Sequence, residues 1–392
     1  MFNSVALNVV IGLVFIYLLY SLLVTITSEL IATALSFRAR NLKEGIDRML
    51  NDEKKVKFIR RILDTLNLTK NPSNPAVNAF YDNPEIKYQG SSGVFKAPTS
   101  FKADSFSKTL MTILFGKSVV TKDVIENKID NLVIKGRNKN GHLVEKKIQE
   151  ETAAYIKGLW EEAQGDIDKF KDLLGKWFDK TMVHNLEWYK RKMRAVSLIL
   201  GFLLAWFFNA DTFVIVKNLS VDKDAREKLV SMANAYLEGQ KYEQTSSQLD
   251  SIKTKQDLEA KFTEIKALSE NVQDDILKSN NILGIGCSLP DSAEIIKQKD
   301  GKIMYKPVVE SDFISGRKLE IRNNFVHFEC RHKWCYFFWL LWHHFPGFLV
   351  TAIAISLGAP FWFDLLSKVT SLRTGSKEPT NAQPAAKTGT GE

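Results

Sequence analysis

WFDKTMVHNLEWYKRKMRAVSLILGFLLAWFFNADTF, residues 177–213, begins with the pattern of an amphipathic helix and ends with that of a membrane span. No charged residue lies in the run 195–210. Four basic side chains stand together just before it: Lys190, Arg191, Lys192 and Arg194. Because basic residues that flank a span stay in the cytoplasm, the pattern predicts a transmembrane helix over 195–216 with its N-terminal end inside. The uncharged run is short for a bilayer, so we expect the helix to continue through Asp211.

The first apolar run covers residues 5–28, 24 residues without a charge. As a helix it would be about 36 Å long, enough to cross a bilayer. The nearby basic residues all follow it: Arg38, Arg40 and Lys43. We therefore predict an uncleaved first span over 5–36 with its N-terminus outside. Glu29 at the inner end is expected to form a structural ion pair with Arg38 or Arg40, and a proton relay is the functional alternative.

The third apolar stretch, residues 334–363, is uncharged for 30 residues. A helix of that length would measure about 45 Å, too long for one straight span. Because Pro346 is followed by glycine, we expect an interfacial helix over 334–345 and then a third span over 347–366 that returns to the cytoplasm. Within that span, Pro360 is expected to bend the helix and to fix the packing of the bundle.

Two acidic residues at span ends are further candidate sites. Asp211 ends the second span, and acids are costly in a membrane, so it is a functional candidate by default. Its position at a helix end favours the structural alternative, a helix cap or a pair with Lys217. Asp364 follows the third span, and we expect it to pair with Arg38 or Arg194. The full set of structural or functional candidates is Glu29, Asp211, Pro360 and Asp364.

The charge differs between the two segments that separate the spans. Residues 38–194 carry 31 Lys and Arg against 21 Asp and Glu, whereas 217–333 carry 19 of each. This bias agrees with a cytoplasmic first segment and an outer second one. The sequence thus predicts an all-α integral membrane protein with three transmembrane helices, a cytoplasmic helical domain and an outer mostly helical domain. The predicted segments are a first transmembrane helix (5–36), the cytoplasmic domain (38–194), a second transmembrane helix (195–216), the outer domain (217–333), the interfacial helix with the third transmembrane helix (334–366) and a disordered tail (374–392).

The cytoplasmic segment has the periodicity of four to six helices, the last one continuous with the second span. Apolar residues recur at helical spacing from Val56 to Leu66 and predict an amphipathic helix there. Residues 70–101 contain four prolines and two glycines, which predicts a long loop. In the outer segment we expect helices over 222–239 and 249–279, arranged as an amphipathic hairpin or a short coiled coil. A β-hairpin is expected around Asp300 and Gly301.

The segment HFECRHKWCYFFWLLWHH, residues 327–344, gathers histidines and cysteines. Their spacing matches no standard zinc pattern, so we expect no metal and no cofactor. An outward location favours a disulfide between Cys330 and Cys335, or between either of them and Cys287, with a free thiol as the alternative. The tryptophans of this segment are typical of an aromatic belt at the membrane interface.

Three sequence blocks together resemble a family of bacterial integral membrane proteins of uncharacterised activity. WFDKTM, WYKR and NADT in residues 177–212 are similar to the family's WFDxxM, GWYKR and NxDT motifs. FYDNPEI and APTSF, within 80–101, and SLGAPFWFDLL, 356–366, are similar to two further blocks. The chain departs from the pattern at Glu187, where the family has glycine. The resemblance implies an integral membrane protein of the bacterial inner membrane, and it implies no activity.

No catalytic constellation is present in the sequence. It has no Gly-rich phosphate loop, no G-x-S-x-G and no H-E-x-x-H, so we expect a protein that is not an enzyme. The leading hypothesis is a membrane-anchored scaffold or adaptor that binds other proteins through its helical soluble regions. The alternative is a subunit of an oligomeric transporter or channel. Charges clustered at the span ends favour the scaffold. The expected partners are membrane lipid, an unidentified protein and a second copy of the chain, and no aromatic-basic motif points to nucleic acid.

Overall fold

The computed structural model describes most of the chain, namely residues 5–50, 74–90, 98–116, 121–137, 142–239, 255–297, 303–305 and 309–374. These residues form two compact units. Unit 1 comprises residues 1–24, 201–245 and 270–392, and unit 2 comprises 25–200 and 246–269. The amphipathic helix predicted at 56–66 and the tail predicted after 374 lie outside the described residues.

Helices make up most of the structure, as predicted, and two small antiparallel sheets accompany them. The described elements are, in chain order, α1 (Val5–Ala34), α2 (Phe37–Leu50), α3 (Pro75–Asp82), α4 (Pro84–Lys87), α5 (Ala103–Phe115), α6 (Lys122–Lys128), β1 (Val133–Arg137), β2 (Leu143–Lys147), α7 (Glu150–Glu162), α8 (Ile167–Phe207), α9 (Thr212–Val221), α10 (Lys223–Glu238), α11 (Lys255–Leu283), β3 (Ser292–Lys297), β4 (Ile303–Tyr305), α12 (Ser311–Ser315), β5 (Glu320–Arg322), β6 (Phe325–His327), α13 (Cys330–Ile355) and α14 (Ala359–Thr374).

Pro75 and Pro84 of unit 2 start helices instead of forming part of a long loop. α3 and α4 each begin at a proline, and an asparagine caps each helix. The side-chain oxygen of Asn74 accepts a hydrogen bond from the backbone two residues later at 3.2 Å, and Asn83 does the same at 3.0 Å. Proline fits the first helical position because the N–H that it lacks has no partner there. The loop prediction for 70–101 is therefore wrong over 75–87.

The core of unit 2 lies between α2, α3, α5, α7, the first half of α8 and the β1–β2 hairpin. Three aromatic rings form its centre. The ring centroid of Phe106 lies 5.6 Å from that of Phe80 and 4.8 Å from that of Phe178. The hairpin was not predicted as strands. It pairs Val133 with Lys147 and Arg137 with Leu143.

α1 is the central helix of unit 1. Nearly every side chain from Ile11 to Val24 is buried. It contacts four helices of the unit: Gly12 lies against Leu219 of α9, Phe15 against Tyr236 of α10, Tyr17 against Trp362 of α14, and Tyr20 is hydrogen-bonded to Asn280 of α11. In this part of the unit, α1 is enclosed by protein.

Among the described helices, α1 and α13 are long and apolar enough to cross a membrane. The pair α8 and α9 is a third candidate if it counts as one span, because the two helices meet at a bend of 52°. The helix that begins at Ile167 runs without a break to Phe207, as predicted. The expected continuation through Asp211 is wrong, because Asn209 has a φ of 55° and the helix stops there.

The last apolar stretch is divided at a different point from the one predicted. α13 continues past Pro346 to Ile355, so no separate interfacial helix ends at 345. The chain then turns through Gly358, whose φ of 92° is readily available only to glycine. Pro360 is the second residue of α14 and bends no helix. A proline in the first turn removes no helical hydrogen bond, which is why it starts this helix.

A four-stranded antiparallel sheet with the order β4-β3-β6-β5 completes unit 1. The β3–β4 pair confirms the hairpin predicted around residue 300, whose connecting residues lie outside the described ranges. The β5–β6 hairpin was not predicted. Asn323 and Asn324 form its turn, both with positive φ, as a two-residue hairpin turn requires. Val326 and Ala293 face a small core that also includes Phe313 of α12 and Tyr336 of α13.

Candidate functional site

The break between α8 and α9 places a carboxylate inside the apolar helices of unit 1. Asp211 is 4% exposed and precedes the first residue of α9. Its Oδ1 accepts hydrogen bonds from the backbone N–H groups of Phe213 at 2.7 Å and Val214 at 3.4 Å. The predicted cap is therefore present, and it directs the second carboxylate oxygen away from the helix.

That second oxygen contacts a histidine 133 residues further along the chain. Asp211 Oδ2 lies 2.7 Å from Nδ1 of His344 in α13. Both side chains are largely buried, with 17% of the His344 side chain and 6% of the Asp211 side chain exposed. The partner of this acid is therefore His344 and not the predicted Lys217.

Gly347 makes the pair sterically feasible. It lies one turn after His344 on the same face of α13, directly beside the carboxylate. A Cβ at this position would stand 1.9 Å from Asp211 Oδ1, well inside van der Waals contact. Only glycine leaves room for the acid at this point of the helix.

A second carboxylate faces the other nitrogen of the imidazole. Glu310 Oε1 lies 3.8 Å from His344 Nε2, and the Glu310 side chain is 45% exposed. Its backbone N–H donates to the Tyr336 hydroxyl at 3.4 Å, which holds this residue beside α13. His344 thus lies between a buried acid and an acid that reaches the surface. A proton could pass from His344 to Glu310 only through a bridging water or after the two side chains moved closer together, since 3.8 Å is longer than a hydrogen bond.

Hydroxyl groups extend the polar cluster on the side facing α1. Thr212 Oγ1 lies 2.7 Å from Thr351 Oγ1 of α13 and 2.9 Å from the Tyr17 hydroxyl of α1. Thr351 Oγ1 is also 2.7 Å from the Ala210 carbonyl oxygen. Three helices and the break thus contribute hydrogen-bonding groups to one buried cluster.

Side chains of unit 1 satisfy the carbonyl groups that the break exposes. Ser288 donates to the Phe207 carbonyl oxygen, and Asn280 Nδ2 donates to that of Phe208 at 3.1 Å. Asn209 itself donates to the Gly286 carbonyl at 3.3 Å. Irregular backbone is tolerated among apolar helices only where such partners replace the lost bonds. The break is therefore a supported feature of the fold.

The cluster lies near the middle of the apolar helices. Tyr17 is the thirteenth of the 30 residues of α1, and His344 is the fifteenth of the 26 residues of α13. A broken helix with polar groups at such a depth is the arrangement that transport proteins use for ion and substrate sites.

The other predicted site residues lie elsewhere. In unit 2, Arg38 donates to Glu29 Oε1 at 2.6 Å, which is the ion pair expected from the sequence. Pro360 and Asp364 are both exposed in α14. The expected pairing of Asp364 with Arg38 or Arg194 stays a prediction.

The state of the cysteines differs from expectation. The three cysteines, Cys287, Cys330 and Cys335, are free thiols, so the expected disulfide does not form. Among the described residues, no three or more His, Cys, Asp or Glu side chains are placed to hold a metal ion. Sequence reasoning treated His344 only as part of that segment. The signal that it missed is an imidazole inside a stretch of 30 residues that is otherwise without charge.

Comparisons with known proteins bear on the family resemblance. No family model matches the chain, no curated protein matches it, and no solved structure matches it. The resemblance to bacterial integral membrane proteins therefore stays a prediction. What the chain does has to be inferred from the buried cluster around Asp211 and His344.

Proposed function

We propose that this chain is a proton-handling subunit of an oligomeric transporter or channel in a bacterial inner membrane. The observation that supports this proposal best is the Asp211–His344 pair, buried where a helix breaks among apolar helices. The sequence favoured a scaffold because its charges cluster at the span ends. The buried pair reverses that preference, since ionisable groups at this depth are costly and are usually retained for function.

Histidine supplies the proton-binding group. Its ordinary pKa lies near neutral pH, so a histidine gains or loses a proton under cellular conditions. Within the described residues, the charged groups that face His344 are Asp211 on one nitrogen and Glu310 on the other. With Asp211 ionised, the pair has a net charge of about −1 when His344 is neutral and about zero when it is protonated. Proton uptake therefore removes a net charge from the apolar interior.

The geometry supports a route for the proton between Glu310 and His344. Asp211 is fixed by its two backbone hydrogen bonds, so the imidazole is the member of the pair that is free to exchange a proton with Glu310. Glu310 is the part of the cluster that solvent reaches. One imidazole can bind a proton on the Glu310 side and share another with Asp211, which is how histidine acts as a proton shuttle. Two or three spans enclose no pore, so the proposal requires several copies of the chain or a partner protein.

Proton flux into liposomes tests the proposal. The full chain is reconstituted in vesicles containing a pH-sensitive dye, and a potassium diffusion potential drives proton entry. We expect flux with the wild type and loss of most of it in Asp211→Asn and His344→Gln. His343→Gln is the matched control, because His343 is exposed and lies against Trp339, with its Nδ1 2.9 Å from the Trp339 carbonyl oxygen and its ring stacked on the indole at 4.0 Å. Equal flux in all four proteins would refute the proposal.

The scaffold remains a second candidate because α8 exposes apolar side chains in unit 2. Val183 and Leu186 are 64% and 52% exposed and lie on one face of the helix. An exposed apolar pair on a charged helix suits a protein partner. Site-specific photocrosslinking from position 183 in cells tests it. Capture of one protein by the wild type, with loss of that capture in Leu186→Asp, would support the scaffold. If no protein is captured, the scaffold is refuted and only the proton-handling proposal is left.

A further inference from the structure

An open groove of about 630 Å³ lies on the surface of unit 1 beside the first half of α13. Its walls combine exposed aromatic rings with two guanidinium groups. The side chains that matter are Arg317, Arg331, Trp334, Phe338 and Trp342. None of them belongs to the buried cluster around His344, so the groove is a separate feature of the molecule.

One face of α13 forms the long wall of the groove. Arg331, Trp334, Phe338 and Trp342 follow one another at spacings of three and four residues, which places them on the same side of a helix. The three rings are 51%, 57% and 85% exposed in chain order. From Arg331 to Trp342 the helix rises about 16 Å, roughly half of the ~30 Å hydrocarbon core of a bilayer. This face therefore extends from the charged start of the helix to about the depth of one lipid leaflet.

Arg317 brings a second positive charge to the charged end. Its guanidinium lies 5.1 Å above the ring of Phe313, and that ring packs against Tyr336 and Trp339 of α13 at 5.1 Å and 5.8 Å. The arginine is thus held at the groove by a cation–π contact and a packed aromatic cluster.

The carboxylates near the start of α13 are directed to other residues. Asp291 pairs with Lys333, and Glu329 faces His332 at 3.8 Å. In the described part of the chain, Arg317 and Arg331 form no ion pair with a carboxylate, while their neighbours do. Two uncompensated guanidinium groups at the head of an apolar, aromatic face make a complementary site for an anion that carries a hydrocarbon chain.

We propose that the groove binds one phospholipid with an anionic headgroup. Arg317 and Arg331 contact its phosphate, and an acyl chain lies along Trp334, Phe338 and Trp342. A free phosphate ion would use the arginines and leave the exposed surface of the three rings uncovered. The lipid uses both halves of the groove, and α13 is itself long and apolar enough to lie in the membrane. The tryptophans at the start of the apolar run are placed as an interfacial belt places them.

Native mass spectrometry of the full chain, purified in detergent and titrated with phosphatidylglycerol, tests the lipid site. The wild type is expected to retain one tightly bound phosphatidylglycerol, and to bind phosphatidylcholine less well. Arg317→Gln with Arg331→Gln should weaken phosphatidylglycerol binding by about tenfold or more, since each basic residue at a membrane surface contributes several-fold. Arg322→Gln is the matched control, because Arg322 is an exposed arginine of the same unit that is paired with Glu320 at 2.7 Å.

Separate results would overturn the assignment. Equal phosphatidylglycerol retention by the wild type and the double variant would show that the arginines do not bind the headgroup. Equal affinity of the wild type for the two lipids would show that charge is not recognised, and full displacement by millimolar inorganic phosphate would assign the site to a free anion. If the double variant fails to fold, Trp342→Ala replaces it, and this variant should weaken phosphatidylglycerol binding through loss of the most exposed ring.

Discussion

Gly347→Ala is predicted to destabilise the protein through a single clash in the buried cluster. The new methyl carbon would stand 1.9 Å from Asp211 Oδ1, so the carboxylate or the helix must move by more than 1 Å to reach ordinary contact. Such a shift breaks the 2.7 Å contact with His344 and weakens the cap of α9. A helix cap contributes about 1 kcal/mol and a charged hydrogen bond about 1.5–3 kcal/mol, which gives a loss of roughly 3 kcal/mol.

Thermal melting of the detergent-solubilised protein measures this loss. A destabilisation of this size lowers the melting temperature by about 5 °C or more. Gly158→Ala is the matched control, because a Cβ there meets no atom within 4 Å and α7 should be unchanged or slightly stabilised.

A double-mutant cycle separates the clash from other effects of the methyl group. In Asp211→Ala the carboxylate is absent, so adding Gly347→Ala should cost little more than Asp211→Ala alone. If Gly347→Ala melts like the wild type, or if its cost adds fully to that of Asp211→Ala, the described contact between Gly347 and the carboxylate would be wrong.

Three further predictions concern features away from the pair. Asn74→Ala should lower the free energy of unfolding by about 2 kcal/mol, because the Asn74 amide caps α3 and also contacts Asp47 at 2.8 Å and Lys146 at 3.0 Å. Asn83→Ala, which removes the more exposed cap, should lower it by only about 0.5–1 kcal/mol. Equal losses for the two variants in chemical denaturation would contradict this prediction. Trp362→Ala should lower the melting temperature, because the ring centroid lies 4.7 Å from that of Tyr17 and the indole N–H donates to the Ala354 carbonyl at 2.8 Å. Pro360→Ala should leave the melting temperature nearly unchanged. A larger loss for Pro360→Ala than for Trp362→Ala would support the proline bend expected from the sequence. Titration of the denatured, unreduced protein with a thiol reagent should count three thiols, and a count of one would reveal a disulfide.

Local sequence patterns predict much of this fold. The long apolar runs give α1 and α13, and helical periodicity gives α8, α10 and most of α11. Local sequence patterns fail where the effect of a residue depends on its position within a helix or strand. Pro346 was expected to divide a helix and is contained in one, and Pro360 was expected to bend a helix and begins one. Proline removes one backbone donor in each case, and its effect depends on whether that donor was needed.

The candidate site is harder to predict than the fold because its parts are far apart in sequence. Asp211 was identified as a candidate from its position alone, and the cap was the preferred explanation. Its partner His344 lies 133 residues away and was grouped with the nearby cysteines. The break at Asn209 has no proline or glycine to mark it, since its support comes from Asn280 and Ser288 in a distant segment. Local patterns carry no information about such contacts.

A measurement of the ionisation of His344 is the most direct test of the proton-handling proposal. Nitrogen-15 NMR of the histidine-labelled full chain in lipid, with His344→Gln used to assign the signal, follows the two ring nitrogens as the pH changes. We predict a signal that changes between the neutral and the protonated imidazole as the pH moves between about 8 and about 5. The same signal should change its position or its titration in Asp211→Asn. A His344 signal that stays in one ionisation state across this range, or that is indifferent to Asp211→Asn, would contradict the claim that the pair takes up a proton.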